Sequence, residues 1–348
     1  MDKQTVITKE TKNRIRVDYE GKLSVKERML KKLKASNTWI KAGVNVLRFI
    51  LMLGVSFVII YPFITKIAGS FMTREDVVDS TISLIPKHFT LEIYQAIIVE
   101  NHYVEALINT IFLSIVCALI QTLISCLVGY GLAKFKFKGN SIIMLLVVVT
   151  MLIPHRTLQL SMYHHFIRFD FFKLFALENQ GLIQLITGSP LKLENTFWPY
   201  IILSIFGLAF KNGLYIYMMR QFFKGVPDEL EESAYVDGSG VFRTFFQIIL
   251  PLAVPMMITI FLFSFSWQWT DEFYASTFFS GASRETYLMP DIYKTIPESL
   301  NTDFAGKLLY DNVIQNTAGM MIIAPLVVVY LFCQRYLVQG IERSGLVG

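Results

Sequence analysis

The chain has 348 residues, of which 53% are hydrophobic and only 17% are charged, and its mean hydropathy is +0.48. Average soluble domains carry about 25% charged residues. This composition excludes an ordinary soluble domain as the main part of the chain. The apolar residues are concentrated in long runs, which a bilayer requires because lipid offers no partners for backbone polar groups.

The formal net charge of +5 is unevenly distributed along the chain. Residues 1–48 hold 13 Lys and Arg against 5 Asp and Glu. A basic tail can indicate nucleic-acid binding, but ahead of a membrane span it more often marks the cytoplasmic side. We therefore predict a cytoplasmic N-terminal tail at 1–43 and no nucleic-acid partner.

Six apolar segments are predicted to span the membrane, each containing an apolar run of about the required length. They are Val44–Phe63, Ala106–Leu132, Ser141–Tyr163, Trp198–Tyr217 (interrupted at residues 211–213), Leu252–Thr270 and Leu309–Cys333. Pro154 is expected to kink the third. No cleavage site follows the first run, so we interpret it as a retained span. The predicted fold is an all-α polytopic membrane protein, with a transmembrane domain at 44–337 and a cytoplasmic C-terminal tail at 338–348.

The distribution of basic residues predicts the orientation of these spans. With the N-terminus inside, the inner segments hold 21 Lys and Arg and the outer segments hold 8. Basic residues accumulate on the cytoplasmic side, so both termini are predicted to be cytoplasmic. The outer connections are long, and the segment from about 166 to 195 is interpreted as an insertion.

The inner connection at 220–251 is the most informative stretch. Pro227 suits the first turn of a helix, where its missing N–H has little effect. Gly238 is expected to end that helix. Ser239 is expected to cap a second helix that ends before Pro251. Acidic residues crowd the first turns, where the helix dipole favours anions: Asp228, Glu229, Glu231 and Glu232. Two short helices joined by a glycine bend suit docking into a partner's groove.

This connection resembles the cytoplasmic motif of binding-protein-dependent ABC permeases, Glu-Ala-Ala, three residues, Gly, nine residues, Ile, one residue, Leu-Pro. Every spacing matches from Glu232 to Pro251, and Ser233 for the middle Ala is the one departure. The resemblance implies that the loop couples the spans to a separate ATPase. The implied coupling residues are Glu232, Ser233, Ala234, Asp237, Gly238, Ile248, Leu250 and Pro251.

Further matches resemble the sugar-importing permeases of the maltose type, and in particular the smaller permease of a heterodimer. They are Tyr61–Phe63, Tyr130–Phe137, Met151–Pro154, Arg220–Phe223 and Gln334–Ile341. The resemblance implies a type I ABC importer permease fold in a bacterial cytoplasmic membrane. It also implies four kinds of partner: a second homologous permease, two ATPase subunits or domains, an extracytoplasmic solute-binding protein and a sugar.

The end of the fifth predicted span carries the candidate substrate-pathway residues Trp267, Gln268, Trp269 and Asp271. Polar side chains at membrane depth usually face a cavity or a partner helix. An interfacial aromatic belt explains the two tryptophans equally well, and Asp271 is equally consistent with a solvated position. Lys211 either lines the pathway or marks a helix break near an interface, and the sequence alone slightly favours snorkelling.

Two kinds of motif are absent from the sequence. It has no Gly-x-x-x-x-Gly-Lys-Ser/Thr phosphate loop and no Gly-x-Ser-x-Gly elbow. We therefore predict a transport subunit that is not an enzyme and binds no cofactor, with ATP and Mg²⁺ held by the partner ATPase. No metal site is expected, and Cys117, Cys126 and Cys333 are expected to be buried thiols.

Two other classes of protein fit the sequence less well. A secondary transporter usually shows internal repeats and needs no coupling loop. A membrane-embedded enzyme needs a catalytic constellation, and none is visible. The substrate stays open between an oligosaccharide, a monosaccharide and a polyol of the glycerol-phosphate kind.

Overall fold

The computed structural model describes residues 8–10, 16–18, 36–170, 181–279 and 286–345. The chain divides into two compact units, Met1–Thr65 and Lys66–Gly348. Most of the predicted tail at 1–43 lies outside the described residues. So do 171–180, within the predicted insertion, and 346–348 at the C-terminus.

The first unit contains a short pair of strands and most of a long helix. Strands β1 (Thr8–Glu10) and β2 (Arg16–Asp18) pair antiparallel, with Lys9 opposite Val17. Helix α1 (Ser36–Gly69) follows, and its apolar run begins at Gly43. The large apolar side chains of this run are exposed, as expected of a helix surrounded by lipid or by another apolar surface.

The second unit is built from helices, as the sequence predicts for most of the chain. Its α-helices are α2 (Arg74–Val78), α3 (Glu92–Glu100), α4 (Tyr103–Lys134), α5 (Asn140–Leu152), α6 (Gln159–Ile167), α7 (Leu182–Thr187), α8 (Trp198–Ile205), α9 (Asn212–Lys224), α10 (Glu229–Val236), α11 (Val241–Thr244), α12 (Leu250–Trp269), α13 (Glu272–Phe278) and α14 (Lys307–Gly345). Short 3-10 helices cover His155–Leu158, Met289–Lys294 and Glu298–Leu300, and a π-helical segment covers Phe245–Ile249.

Four helical segments of the described chain are long and apolar enough to cross a membrane. They are Gly43–Gly69, Tyr103–Lys134, Val241–Trp269 and Lys307–Tyr336. The pair α5 and His155–Ile167 makes a fifth if its two bent parts count as one span. The multi-pass prediction is confirmed, but six membrane helices are not.

The fourth predicted span, Trp198–Tyr217, consists of two helices that are each too short to cross a bilayer. Helix α8 ends at Ile205 and α9 begins at Asn212. Gly207 and Lys211 between them have positive φ angles of 68° and 67°. A left-handed residue cannot continue a right-handed helix, so the chain turns at both positions.

The bend that Pro154 predicts in the third span is confirmed, and it is larger than a kink. The axes of α5 and the following helical segment differ by 92°. Pro154 has no N–H to donate and disfavours helical geometry in the residue before it. Ile153 is accordingly extended, with ψ at 120°.

Buried polar groups join α4, α8 and α12 in the centre of the bundle. Gln121 Nε2 donates to Ser204 Oγ at 3.1 Å, and Ser264 Oγ donates to Gln121 Oε1 at 2.7 Å. Ser204 Oγ in turn donates to the carbonyl oxygen of Tyr200. Since unpaired buried polar groups are costly, this network specifies one relative placement of the three helices.

Candidate functional site

The loop between α9 and α12 is anchored by an apolar core on its inner side. Helix α9 buries Met219 and Phe223 completely, and the π-helical segment buries Ile249 completely. These residues pack with Tyr130 of α4 and Ala253 of α12 in one cluster. The loop is therefore packed against α4 as well as against the two helices that it connects.

Helices α4 and α9 approach closely because Gly129 has no side chain. A Cβ atom on Gly129 would lie 2.6 Å from the Met219 Cβ atom and 3.0 Å from the Arg220 backbone nitrogen. Arg220 Nε also donates to the carbonyl oxygen of Leu132. This contact positions the end of α9, and hence the start of the loop, against the end of α4.

Lys134 at the end of α4 fixes the entry of the loop, a contact that sequence reasoning missed. Its Nζ donates to the carbonyl oxygen of Val226 at 2.6 Å and to Asp228 Oδ1 at 2.5 Å. The hydrogen bond from Lys134 holds the pKa of the Asp228 carboxyl below its ordinary value. The sequence feature that could have predicted this contact is a lysine at the end of one span and an acidic residue at the start of the next inner helix.

Helix α10 ends at the glycine that the sequence indicates. Gly238 has a φ of +81°, and the Ser239 N–H donates to the Ala234 carbonyl oxygen while the Gly238 N–H donates to that of Tyr235. This pair of bonds is a Schellman motif, which glycine favours because it lacks a Cβ atom. The bend after α10 is thus built into the sequence at Gly238.

Two local expectations about the second helix are wrong. Gly240 rather than Ser239 occupies the N-cap position, and Ser239 Oγ instead accepts a hydrogen bond from Thr244 Oγ1. The helix also does not end before Pro251. It continues from Val241 to Trp269. The π-helical turn Phe245–Ile249 changes the backbone hydrogen-bond pattern just before Pro251, so the helix passes the position where proline lacks an N–H.

The predicted coupling residues divide between an outer face and a buried face of the loop. Glu232, Ser233, Asp237, Gly238 and Pro251 are exposed. Ala234 is buried, and Ile248 and Leu250 are half-buried against the inner core.

Two large apolar side chains beside the bend are almost fully exposed, and the motif did not single them out. Val236 is 87% exposed and Phe242 is 81% exposed. They lie on either side of Gly238 at the tip of the loop. Large apolar side chains exposed in this way are candidates for contact with a partner protein.

The candidate pathway residues on α12 occupy different environments. Trp267 is half-exposed, whereas Trp269 is buried and its Nε1 donates to the Ile322 carbonyl oxygen of α14. Gln268 is half-buried, and its Nε2 has no hydrogen-bond partner among the described residues. Asp271 accepts the Tyr274 N–H at 3.2 Å and so caps α13. Trp269 is therefore part of the core, whereas Trp267 is open on one side and Gln268 keeps a side-chain nitrogen unpaired within the described part of the chain.

Lys211 does not extend away from the bundle. Its Nζ lies 4.9 Å from the ring centroids of both Phe210 and Trp267. It lines a cavity of about 120 Å³ at the break between α8 and α9. This placement favours the alternative that Lys211 faces a pathway. Within the described residues, no group of three or more His, Cys, Asp or Glu is arranged to hold a metal ion.

Residues 121–343 match the family described as binding-protein-dependent transport system inner membrane component. This region covers more than half of the chain and includes the whole inner loop. The chain belongs to this family. Its membership establishes an ABC transporter permease, a membrane subunit whose role is transport.

Several characterised or inferred permeases are similar to this permease along most of its length. The probable starch degradation products permease AmyC of Thermoanaerobacterium thermosulfurigenes is 28% identical, over 81% of this chain and 89% of its own. The arabinooligosaccharides permease AraQ of Halalkalibacterium halodurans is 26% identical, over 87% and 98%. The polygalacturonan/rhamnogalacturonan permease YtcP of Bacillus subtilis is 30% identical, over 62% and 64%.

A solved structure of similar fold supports the helical arrangement. It is a chain of a bacterial ABC transporter that imports the acidic polysaccharide alginate, with a TM-score of 0.63 and 22% identity. The match covers 87% of this permease and 98% of that chain. The similarity shows a shared ABC importer permease fold.

Proposed function

We propose that this permease passes a sugar or oligosaccharide across the bacterial cytoplasmic membrane and is coupled to a separate ATPase through residues 227–251. The observation that carries the proposal is the shape of the inner loop. It presents an acidic helix and two exposed apolar side chains, Val236 and Phe242, on a loop whose base packs against α4, α9 and α12. The names of its relatives, which describe transport of carbohydrates, support a sugar as the substrate.

The continuous helix from Val241 to Trp269 suggests how the loop acts. A pull on the loop tip would move the inner end of this helix as a rod, because no break separates it from the segment beside Trp267. ATP binding in the partner would draw the Pro227–Gly238 segment inward. The spans corresponding to α5, α9 and α12 would then reorient and open the pathway toward the solute-binding protein.

The proposed assembly contains a second homologous permease, two ATPase subunits or domains, and an extracytoplasmic binding protein. This chain takes the place of the smaller permease. Its N- and C-termini lie in the cytoplasm, on the same side as the inner loop. ATP and Mg²⁺ are bound by the ATPase, and this chain supplies no cofactor site.

Co-purification tests the coupling. The permease is expressed with its neighbouring permease and ATPase genes, and the proteins that accompany a tag on this chain are identified. We expect an ATPase that is lost, or retained but uncoupled from uptake, in Glu232→Lys and Gly238→Asp. A stable complex with no ATPase, unaffected by both changes, would contradict the proposal and favour a secondary transporter.

Substrate uptake is tested separately in proteoliposomes that contain the whole importer and its binding protein. We expect ATP-dependent accumulation of a labelled sugar. ATP-dependent uptake of amino acids or metal ions, with no sugar in a broad panel taken up, would contradict the substrate class while leaving the coupling intact.

A further inference from the structure

Two helix breaks meet at one cavity, whose lining residues all lie outside the loop at 220–251. The break between α5 and α6 contributes His155, and the break between α8 and α9 contributes residues 207–211. The rings of His155 and Phe210 meet edge to face, with centroids 4.8 Å apart. Irregular backbone at membrane depth is tolerated where it lines a cavity or is buried in protein, and in transporters broken helices often surround the transported solute.

The cavity carries a positive charge without a matching negative one. Among the described residues, no carboxylate lies within ion-pair distance of Lys211 Nζ, which instead lies over the rings of Phe210 and Trp267. Aromatic faces attract a cation but leave its formal charge uncompensated. A half-buried lysine held in this way attracts an anion into the cavity.

The backbone adds a second positive feature at the same place. Helix α9 begins immediately after Lys211, and the first N–H groups of a helix have no partner within it. Gly213 and Leu214, which carry two of these groups, line the cavity. A Cβ atom on Gly213 would lie 2.7 Å from Thr150 Oγ1, so the absence of a side chain lets this helix end lie against α5. The helix N-terminus and the ammonium therefore favour the same anion.

Asp271, the acidic residue nearest in sequence to Trp267, does not fully offset the positive charge of Lys211. Asp271 uses its carboxylate to cap α13 through the Tyr274 N–H. Burial raises the pKa of Asp271 to about 7, so that a large fraction of this carboxyl is protonated near neutral pH. His155 adds a further nitrogen base to the lining rather than an acid.

The exposed indole of Trp267 indicates which chemical group is attached to the bound anion. Trp267 is 48% exposed, so much of its indole is available beyond the contact with Lys211. The C–H face of a pyranose ring packs on such a surface, whereas a short polyol phosphate has no ring face to offer. The combination therefore suits a carboxylate attached to a sugar ring better than a phosphate on a small polyol.

We infer that this cavity binds the carboxylate of a uronic acid residue, with Lys211 as its charge partner and Trp267 as the surface for the sugar ring. The transported substrate is then an acidic oligosaccharide. This inference rests on the proposed sugar-import function and specifies the substrate class for it.

Equilibrium binding to the whole permease–ATPase complex in nanodiscs, without binding protein, tests the inference. The probes are labelled trigalacturonate and a neutral galactose trisaccharide of equal length. We expect the acidic probe to bind more tightly, and Lys211→Met to weaken it by roughly tenfold or more while changing the neutral probe less than about twofold. Lys211→Arg, which keeps the charge, should restore most of the acidic preference.

The experiment includes a matched control, and four outcomes would contradict the inference. Lys192→Met removes an exposed lysine elsewhere and should leave both affinities unchanged. Equal binding of the two probes, or an acidic preference that survives Lys211→Met, overturns the inference while sugar uptake by the importer stands. Equal loss of both probes in Lys211→Met and Lys211→Arg would assign Lys211 a structural role. If glycerol phosphate at matched concentration displaces trigalacturonate, the cavity binds a phosphate group rather than a carboxylate, and the inference is wrong.

Discussion

Lys134 and Asp228 lie 94 residues apart in the chain, and their side chains form an ion pair with an Nζ–Oδ1 distance of 2.5 Å. The lysine side chain is buried while the aspartate is exposed. Lys134 also binds the carbonyl oxygen of Val226, so one side chain joins the end of α4 to two points of the loop entry. We expect a displacement of this loop to be transmitted to α4 through Lys134.

Replacing Lys134 with Met should reduce ATP-driven uptake more than replacing Asp228 with Asn. Lys134→Met removes both contacts and leaves the Val226 carbonyl oxygen without its donor, whereas Asp228→Asn weakens only the ion pair. Because the Asp228 carboxylate is exposed to solvent, which screens the pair, we expect a loss of about twofold or less for Asp228→Asn. Uptake per ATP hydrolysed in proteoliposomes measures the effect. Lys138→Met, at an exposed lysine of the same inner segment, is the control, and a loss there equal to that of Lys134→Met would refute the interpretation.

Gly238→Ala should weaken ATPase association, and Gly240→Ala should not. Both positions have open space for a Cβ atom, but only Gly238 has a positive φ. A non-glycine residue in the left-handed region is less stable by about 1–2 kcal/mol, which would favour another path for the chain after α10. The amount of ATPase that co-purifies with each variant measures this association. Equal recovery from both variants would show that the bend contributes nothing to association.

Ser264→Ala should destabilise the permease by about 1–3 kcal/mol, because it leaves the buried Gln121 Oε1 atom without a donor. Gln121→Leu combined with Ser264→Ala should be less destabilising than the sum of the two single changes, since no buried polar atom of that pair then remains. Thermal or denaturant unfolding of the detergent-purified complex gives the three values. Ser276→Ala, at an exposed serine, is the control. Strict additivity would show that the bond has no energetic role.

The stability of the purified importer should fall as the pH rises from about 5 to 8, with Asp271 as one contributor. Burial raises the pKa of Asp271 from 3.8 to about 7. Between those values the native chain binds a proton that the unfolded chain releases, so the free energy of unfolding decreases with rising pH and levels off above about 7.

Asp271→Asn should flatten this dependence while retaining an acceptor that can cap α13. Scanning calorimetry at fixed scan rate across that pH range compares the two proteins. Glu272→Gln, at the exposed neighbouring carboxylate, serves as the control. A wild-type slope unchanged in Asp271→Asn would contradict the assignment.

The linear sequence is sufficient for those features that depend on neighbours along the chain. Runs of apolar residues predict membrane spans because the backbone must satisfy its own hydrogen bonds in lipid. Pro154 predicts a bend, and Gly238 predicts a helix end, because each acts through its own φ angle and donor. The spacing from Glu232 to Pro251 identifies the inner loop and, with it, the family.

Predictions from the local sequence pattern were wrong at two places, where a neighbouring residue or turn changes the backbone path. Pro251 indicates a helix end when considered by itself, yet the π-helical turn before it lets the helix continue as α12. The apolar run at 198–217 predicts one span, yet Gly207 and Lys211 divide it. Hydropathy depends only on composition, so it cannot detect that two residues in the run adopt left-handed backbone angles.

Only the tertiary structure decided which distant side chains meet. Whether Lys211 snorkels or faces a cavity depends on Trp267 of α12 and His155 beside α5, and Trp269 is assigned to the core by its bond to Ile322 of α14. These contacts follow from how three helices pack, and a helix can present any of its faces to a neighbour without a change in its own periodicity. The chain composition thus determines that the protein spans the membrane, while packing determines which of its polar groups line a cavity.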